Sequence, residues 1–332
     1  MVLLAVEAPI FDAFLTARTL SRLGHRATVV RADAATWTTH PALSRARVVV
    51  TGWGSAGLDA EVLGRAPELM ALVHTGGSVK SVVDPAVWDR RGFVVSSQVE
   101  ANAAPVAAHT AATIVLALRG TFGLREQYRR ERGAFHSSIE RVTDRSRGMA
   151  HRTVGIVSAS RIGREVVELL RPWPLGLAIY DPYLSPAAAE ALGATWVESL
   201  VELARRSDVL SIHTPLLPET VGLVDAEVLA ALRDGAVVVN TARGAIVDEP
   251  ALVAELVSGR LSAVLDVTHP EPPADDSPLW DLDNVFLTPH VAGSLGTELE
   301  VLGAQAIDET IRVLAGEPLL HEVSPDTLAL QA

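Results

Sequence analysis

Cysteine is absent from this 332-residue chain, which removes disulfides, thiolate nucleophiles and cysteine-ligated zinc. Histidine and carboxylates remain available to metals. Basic charge is scarce relative to acidic charge: 28 Lys and Arg stand against 40 Asp and Glu, a formal net charge of −12. That balance repels nucleic acid over most of the surface, so the Arg-rich segment from Arg125 to Arg152 reads as a solvated or subunit-contact face. Long apolar runs are missing too. None approaches the ~20 residues that cross a bilayer, so membrane insertion is not expected. The opening Met1-Val-Leu-Leu-Ala-Val6 has no basic leader and soon meets Glu7 and Pro9. It reads as a buried first strand, and the cytoplasm is the expected compartment.

What remains is ordinary globular material, 48% hydrophobic and 20% charged, in a chain long enough for two cores. Short apolar runs at Val2–Val6, Ala27–Val30, Val48–Val50, Leu69–Val73 and Phe93–Val95 alternate with amphipathic segments such as Phe11–Leu23. Strands alternating with helices imply a parallel α/β sheet. The pattern repeats after Thr153 with runs at Thr153–Val157, Leu177–Tyr180, Asp208–Ile212, Ala236–Val239, Leu261–Leu265 and Val285–Leu287. Between the two series, an Ala/Leu-rich helical run from Asn102 to Leu118 carries Pro105, expected in its first turn, and the segment 119–152 reads as an exposed arm broken by glycines. The last helical run, Glu298–Leu314, stops at Gly316, and the tail 319–332 is expected to return to the first domain. The expected division is therefore 1–103 with 297–332 for one domain and 104–296 for the other.

Glycine is missing where a dinucleotide turn usually needs it. Ser158-Ala-Ser160-Arg161-Ile162-Gly163 follows a strand and opens a helix, but only the third glycine of G-x-G-x-x-G is kept. The amides of Arg161 and Ile162 could still face a pyrophosphate at the helix N-terminus. Asp181 closes the next strand at the distance expected of a ribose hydroxyl partner. An unliganded strand–helix turn is the competing reading. Serine at the first position would be strained by roughly 1–2 kcal/mol if held at positive φ, and Ser160 must either clear the diphosphate or bond it.

Three later strand ends close on titratable residues. Thr241-Ala242-Arg243-Gly-Ala-Ile-Val-Asp248-Glu249 places a guanidinium, a planar fork for a carboxylate, just past one apolar run. Leu265-Asp266-Val-Thr-His-Pro-Glu271-Pro and Thr288-Pro289-His290 follow the next two. Alone, His290 could be a core histidine, Glu271 a turn cap, and Asp266 either a nicotinamide contact or a turn cap. Together, Arg243, Glu271 and His290 suit an anion clamp beside a general acid/base whose protonated form and tautomer a carboxylate secures. In the first half, Gly76-Gly77-Ser78 follows a strand, where unhindered amides could hold a small anion or form an ordinary turn.

These motifs resemble the D-isomer-specific 2-hydroxyacid dehydrogenase family over nearly the whole chain. The resemblance implies a Rossmann-type NAD-binding domain inserted into a flavodoxin-like substrate domain. It implies an NAD(H)-dependent oxidoreductase acting at C2 of a small 2-hydroxy or 2-oxo acid in an interdomain cleft, and a homodimer. By the same resemblance Arg243 binds the substrate, His290 donates the proton and Glu271 tunes it. Gly77 and Ser78 hold the carboxylate, while Thr214, Thr241 and Ala242 line the cofactor, joining Ser160, Arg161, Ile162, Asp181 and Asp266 as its expected contacts. A dinucleotide-bound regulatory protein on the same fold is the alternative. A formate-type enzyme would carry glutamine in place of Glu271. Lys80 and Ala108 depart from the family's usual aspartate and glutamate.

Overall fold

The computed structural model describes residues 1–89, 92–144 and 146–328; Arg145 of the Arg-rich segment and residues 329–332 of the expected tail lie outside the described residues. The chain divides into two compact units, 1–103 with 294–332, and 104–293.

The first unit opens with β1 (Val2–Ala5), α1 (Ala8–Phe14), α2 (Ala17–Gly24), β2 (Val29–Arg31), β3 (Val48–Thr51), α3 (Ala60–Gly64), β4 (Ala71–His74) and β5 (Val94–Ser97). These strands are parallel in the order β2-β1-β3-β4-β5, the flavodoxin-like arrangement. β1, β3 and β4 are buried at every residue, which is why they read as unbroken apolar runs. The segment Phe11–Leu23 is two helices rather than one. Leu15 leaves helical geometry at φ −117° and ψ 77°, and Thr16 then caps α2.

The connecting helix α4 (Val99–Leu118) starts earlier than expected, so Pro105 lies inside it and not in its first turn. Its missing N–H leaves the Ala101 carbonyl without a helical donor. At 20 residues, with mean hydropathy 1.4 over its most apolar window, this helix is long and apolar enough to cross a membrane by length and composition, against the reading that no such stretch exists. Ala107, Ala111, Ile114 and Leu118 bury one face of it in the core. Alanine spacing had hidden its length.

The second unit continues with α5 (Thr121–Glu131), α6 (Gly133–Ser137), α7 (Glu140–Thr143), β6 (Arg152–Val157), α8 (Arg161–Leu170), β7 (Leu175–Tyr180), α9 (Pro186–Leu192), β8 (Thr195–Trp196) and α10 (Leu200–Arg206). Then come β9 (Val209–Ile212), α11 (Ala226–Ala231), β10 (Val237–Asn240), α12 (Glu249–Val257), β11 (Ser262–Leu265) and β12 (Val285–Leu287). Gly123 sits within α5 and does not break it. All seven strands are parallel, in the order β12-β11-β10-β9-β6-β7-β8. Strand order reverses between β6 and β9, the switch point at which such sheets bind dinucleotides. Neighbouring residues feed opposite faces: Val157, Leu210 and Val238 join one core, Ile156, Val209 and Val239 the other.

The chain then returns to the first unit through α13 (Thr297–Ala315), β13 (Glu322–Val323) and α14 (Pro325–Leu328). Gly303 of α13 packs against the Phe14 backbone so closely that no side chain fits there. β13 pairs with β5 antiparallel, so this sheet is not wholly parallel. The return begins at Ser294 rather than 297, because Ala292 is tied to Asp266 whereas Ser294 donates its N–H to Asn102 Oδ1 at 3.1 Å.

Candidate active site

Every candidate in the second unit follows the carboxyl end of a strand. After β10, buried Asn240 folds the chain back on itself. Its Oδ1 accepts from the Ala242 amide at 3.0 Å and its Nδ2 donates to the Arg243 carbonyl at 2.9 Å. Gly244 lets the Thr268–His269 backbone press against this turn where any Cβ would collide. Arg243 therefore leaves a braced loop. Its Nη1 donates to the Ala242 carbonyl at 2.6 Å. Burial draws its pKa down and the charge of Glu271 opposes that, but a guanidinium remains protonated near neutrality.

The loops after β11 and β12 meet at the imidazole. His290 Nδ1 lies 2.7 Å from Glu271 Oε1, with the two side chains 47% and 41% exposed, open enough for a substrate to reach Nε2. A carboxylate on Nδ1 orders the tautomer, leaving Nε2 as the outward nitrogen. The backbone at His290 is left-handed, φ 54°, a conformation sparsely used by residues other than glycine. Asp266 over-determines it. The Asp266 carbonyl accepts from the His290 amide at 3.0 Å, and its carboxylate accepts from the Val291 and Ala292 amides at 2.8 Å each and from Thr288 Oγ1 at 2.6 Å. Asp266 thus caps the histidine loop, with one acceptor position of its carboxylate to spare. Glu249 and Thr268 brace the segment before Glu271, through Glu249 Oε2 with the His269 amide at 2.7 Å and Thr268 Oγ1 with the Pro270 carbonyl at 2.8 Å.

On the other side of the switch point, Ser158 has φ 80°. Its hydroxyl donates to Asp181 Oδ2 at 3.1 Å, the Ala159 amide donates to the same oxygen at 2.8 Å, and the Tyr183 amide donates to Oδ1 at 2.8 Å. The Ser160 hydroxyl caps α8, accepting from the Gly163 amide at 3.3 Å, and its own O–H is left to donate. Gly163 packs on the Ser158 carbonyl, where a Cβ would collide. Arg161 and Ile162 form the first turn of α8, where the helix dipole favours an anion. Thr214 follows buried His213, whose Nε2 lies 2.8 Å from Ser211 Oγ and whose Nδ1 has no partner among the described residues. Burial lowers the His213 pKa to about 3. Thr241 and Ala242 are buried, and Thr241 Oγ1 lies 2.8 Å from Thr110 Oγ1 of α4. Together, the close Gly163 turn, the α8 terminus, Asp181 and the His213 imidazole fit a dinucleotide.

In the first unit, Gly77 and Ser78 follow β4. Gly76 is pinched between Trp53 and His74, leaving no space for a Cβ, and Asn102 lies against Gly77. The Gln98 amide donates to the Gly76 carbonyl at 2.9 Å. His74 is fully buried, with Nδ1 3.0 Å from Thr51 Oγ1, and burial lowers its pKa to about 4. The bracing roles of Asn240, Glu249 and Thr110 were not read from the sequence. Asn240 alone carried a signal, an Asx residue closing an apolar run. A cavity of about 380 Å³ opens at the opposite, amino-terminal edge of the second sheet, beside Arg152, Asp208 and Ser262, and includes none of the candidate residues.

Residues 111–292 match the family model described as "D-isomer specific 2-hydroxyacid dehydrogenase, NAD binding domain". The chain is 36% identical over 266 residues to D-3-phosphoglycerate dehydrogenase of Mycobacterium tuberculosis, covering 78% of this chain and 48% of that protein. It thus spans about half the length of the curated relatives it matches. A 2-hydroxyacid dehydrogenase structure from Ketogulonicigenium vulgare Y25 superposes with TM-score 0.79 at 28% identity, covering 97% of this chain and 98% of that one. The apo D-mandelate dehydrogenase of Rhodotorula graminis, at 24% identity and TM-score 0.81 over 97% of each chain, shares the fold.

Proposed function

The chain belongs to the D-isomer-specific 2-hydroxyacid dehydrogenase family, and from that premise we propose that it interconverts a small 2-oxo acid and its 2-hydroxy acid with NAD(H). When bound, the cofactor would supply the hydride as NADH in reduction and accept it as NAD⁺ in oxidation. The chain's own residues do the rest. Arg243 offers a fixed fork that orients the oxo-acid carboxylate and polarises the carbonyl. His290 gives a proton from Nε2 to the carbonyl oxygen as charge builds there, and Glu271 on Nδ1 supports the cation in that role and holds the ring. In the oxidative direction the same nitrogen takes the proton back. Asp266 presents His290 through its backbone, and Asp181 stands ready for the adenosine ribose. In the first unit, the Gly76–Ser78 backbone offers amides to a carboxylate. The reading also includes a cytoplasmic enzyme that pairs with a second copy through the exposed Tyr128, Ile139 and Val142.

The observation that carries this reading is the 2.7 Å contact of Glu271 with His290, on loops adjoining the one that presents Arg243. Its test is NADH consumption against a panel of 2-oxo acids that spans apolar, aromatic and phosphorylated side chains. Turnover with at least one supports the reading. Tight NADH binding without turnover on any would favour the regulatory alternative.

A further inference from the structure

Ser158 stands where the family's dinucleotide turn has a glycine, and its hydroxyl is not idle. A carboxylate presents about four acceptor positions, two on each oxygen. On Asp181, Oδ2 already accepts from Ser158 Oγ at 3.1 Å and from the Ala159 amide at 2.8 Å, while Oδ1 accepts from the Tyr183 amide at 2.8 Å. One position remains, on Oδ1. Asp181 is 9% exposed, so its side chain has little freedom to turn toward a ligand. With glycine in place of Ser158, a second acceptor position would be open, and the carboxylate could take both hydroxyls of a ribose diol.

We infer that Ser158 is a positioning residue for cofactor recognition: its hydroxyl occupies the Asp181 acceptor that a second ribose hydroxyl would use, so the adenosine ribose is held through one hydroxyl instead of two. The inference rests on the reading of Asp181 as the ribose partner. The enzyme consequently binds NADH more weakly than a glycine turn would allow, and it discriminates less sharply against a cofactor altered at one of the two hydroxyls. Ser160 plays no part in this, because its hydroxyl is engaged in capping α8.

Fluorescence titration of the whole protein with NADH, and with NADH analogues lacking the 2′- or the 3′-hydroxyl of the adenosine ribose, tests it. In the wild type, removal of at least one of the two hydroxyls should leave affinity nearly unchanged. In Ser158→Gly and Ser158→Ala, NADH should bind about tenfold tighter, and each hydroxyl deletion should then cost about tenfold, the worth of one charge-assisted hydrogen bond. Ser158→Ala keeps the Cβ, so agreement between the two variants separates the hydroxyl from relief of backbone strain. Unchanged or weaker NADH binding in both variants would overturn the inference, as would a tenfold loss on each deletion in the wild type, which needs no variant to fold. A wild type that binds no NADH would instead overturn the cofactor reading, and the inference with it.

Discussion

Asp266 holds the His290 backbone without touching its imidazole: its carbonyl accepts the His290 amide and its carboxylate the next two amides, Val291 and Ala292. The proposed acid/base residue is therefore set in a left-handed backbone by a neighbour that need not touch the substrate. Asp266→Ala should strand the Val291 and Ala292 amides, at about 1–3 kcal/mol for each group left unpaired. Native-state hydrogen exchange should show Val291 and Ala292 losing protection, with turnover falling alongside. Asp266→Asn keeps acceptor capacity and should lose less. Unchanged protection in the alanine variant would remove Asp266 from this role.

Arg243 contributes geometry as well as charge. Arg243→Lys keeps the cation without the planar fork, so it should recover only part of the activity that Arg243→Ala loses, on the order of 100-fold or more in kcat/KM. Both should fold, since among the described residues the Arg243 side chain makes one hydrogen bond, to its neighbour's carbonyl. Full activity in the alanine variant would exclude the residue from the site.

Ser158 gives a stability test with opposing terms. Its φ of 80° costs roughly 1–2 kcal/mol in a non-glycine residue, while its bond to the Asp181 carboxylate is worth about 1.5–3 kcal/mol. Ser158→Gly removes both and should leave the melting temperature within a few degrees. Ser158→Ala keeps the strain, loses the bond and should melt lower. Strain alone would favour glycine at this position; the bond to Asp181 is what offsets it.

Two histidines make the fold acid-sensitive. Burial lowers the pKa of His74 from 6.5 to about 4 and that of His213 from 6.5 to about 3. Both are neutral when folded and take up protons on unfolding below pH 6.5, so the unfolded state binds more protons there and stability falls with pH. The contribution is complete above pH 6.5 and lost as pH drops toward 4 and then 3, on the order of 3–5 kcal/mol for each residue. Melting followed from pH 7 to pH 4 should show the decline. His74→Asn and His213→Gln, which keep a polar atom at the bonded position, should flatten it, and an equally steep decline in both would contradict the assignment.

Much of this molecule is legible from residue order because its central strands are buried on both faces. Runs such as Val48–Val50 and Ala236–Val239 mark β3 and β10 without ambiguity, and the titratable residues after β10, β11 and β12 stand out against them. What could not be read is backbone direction. Nothing in Leu15-Thr16 announces a break between two helices, and two-residue strands such as β8 and β13 leave no pattern. Asp181 and Asp266 accept from the Ala159 and Val291 amides, which follow the positive φ of Ser158 and His290 that sequence does not display. Hence Arg243, Glu271 and His290 could be named early, but not what Asp266, Ser158 and Ser160 bond.

The central claim is that His290, paired to Glu271, carries the proton in a hydride transfer at C2 of a 2-oxo acid. Single-turnover reaction of the wild type and of His290→Ala with NADH deuterated at the transferring position tests it most directly, with NADH affinity measured for both. The account predicts deuterium at C2 of the wild-type product, and in His290→Ala an unchanged NADH affinity with transfer slowed about 100-fold or more. Transfer at the wild-type rate in His290→Ala, or no deuterium in the wild-type product, would contradict it.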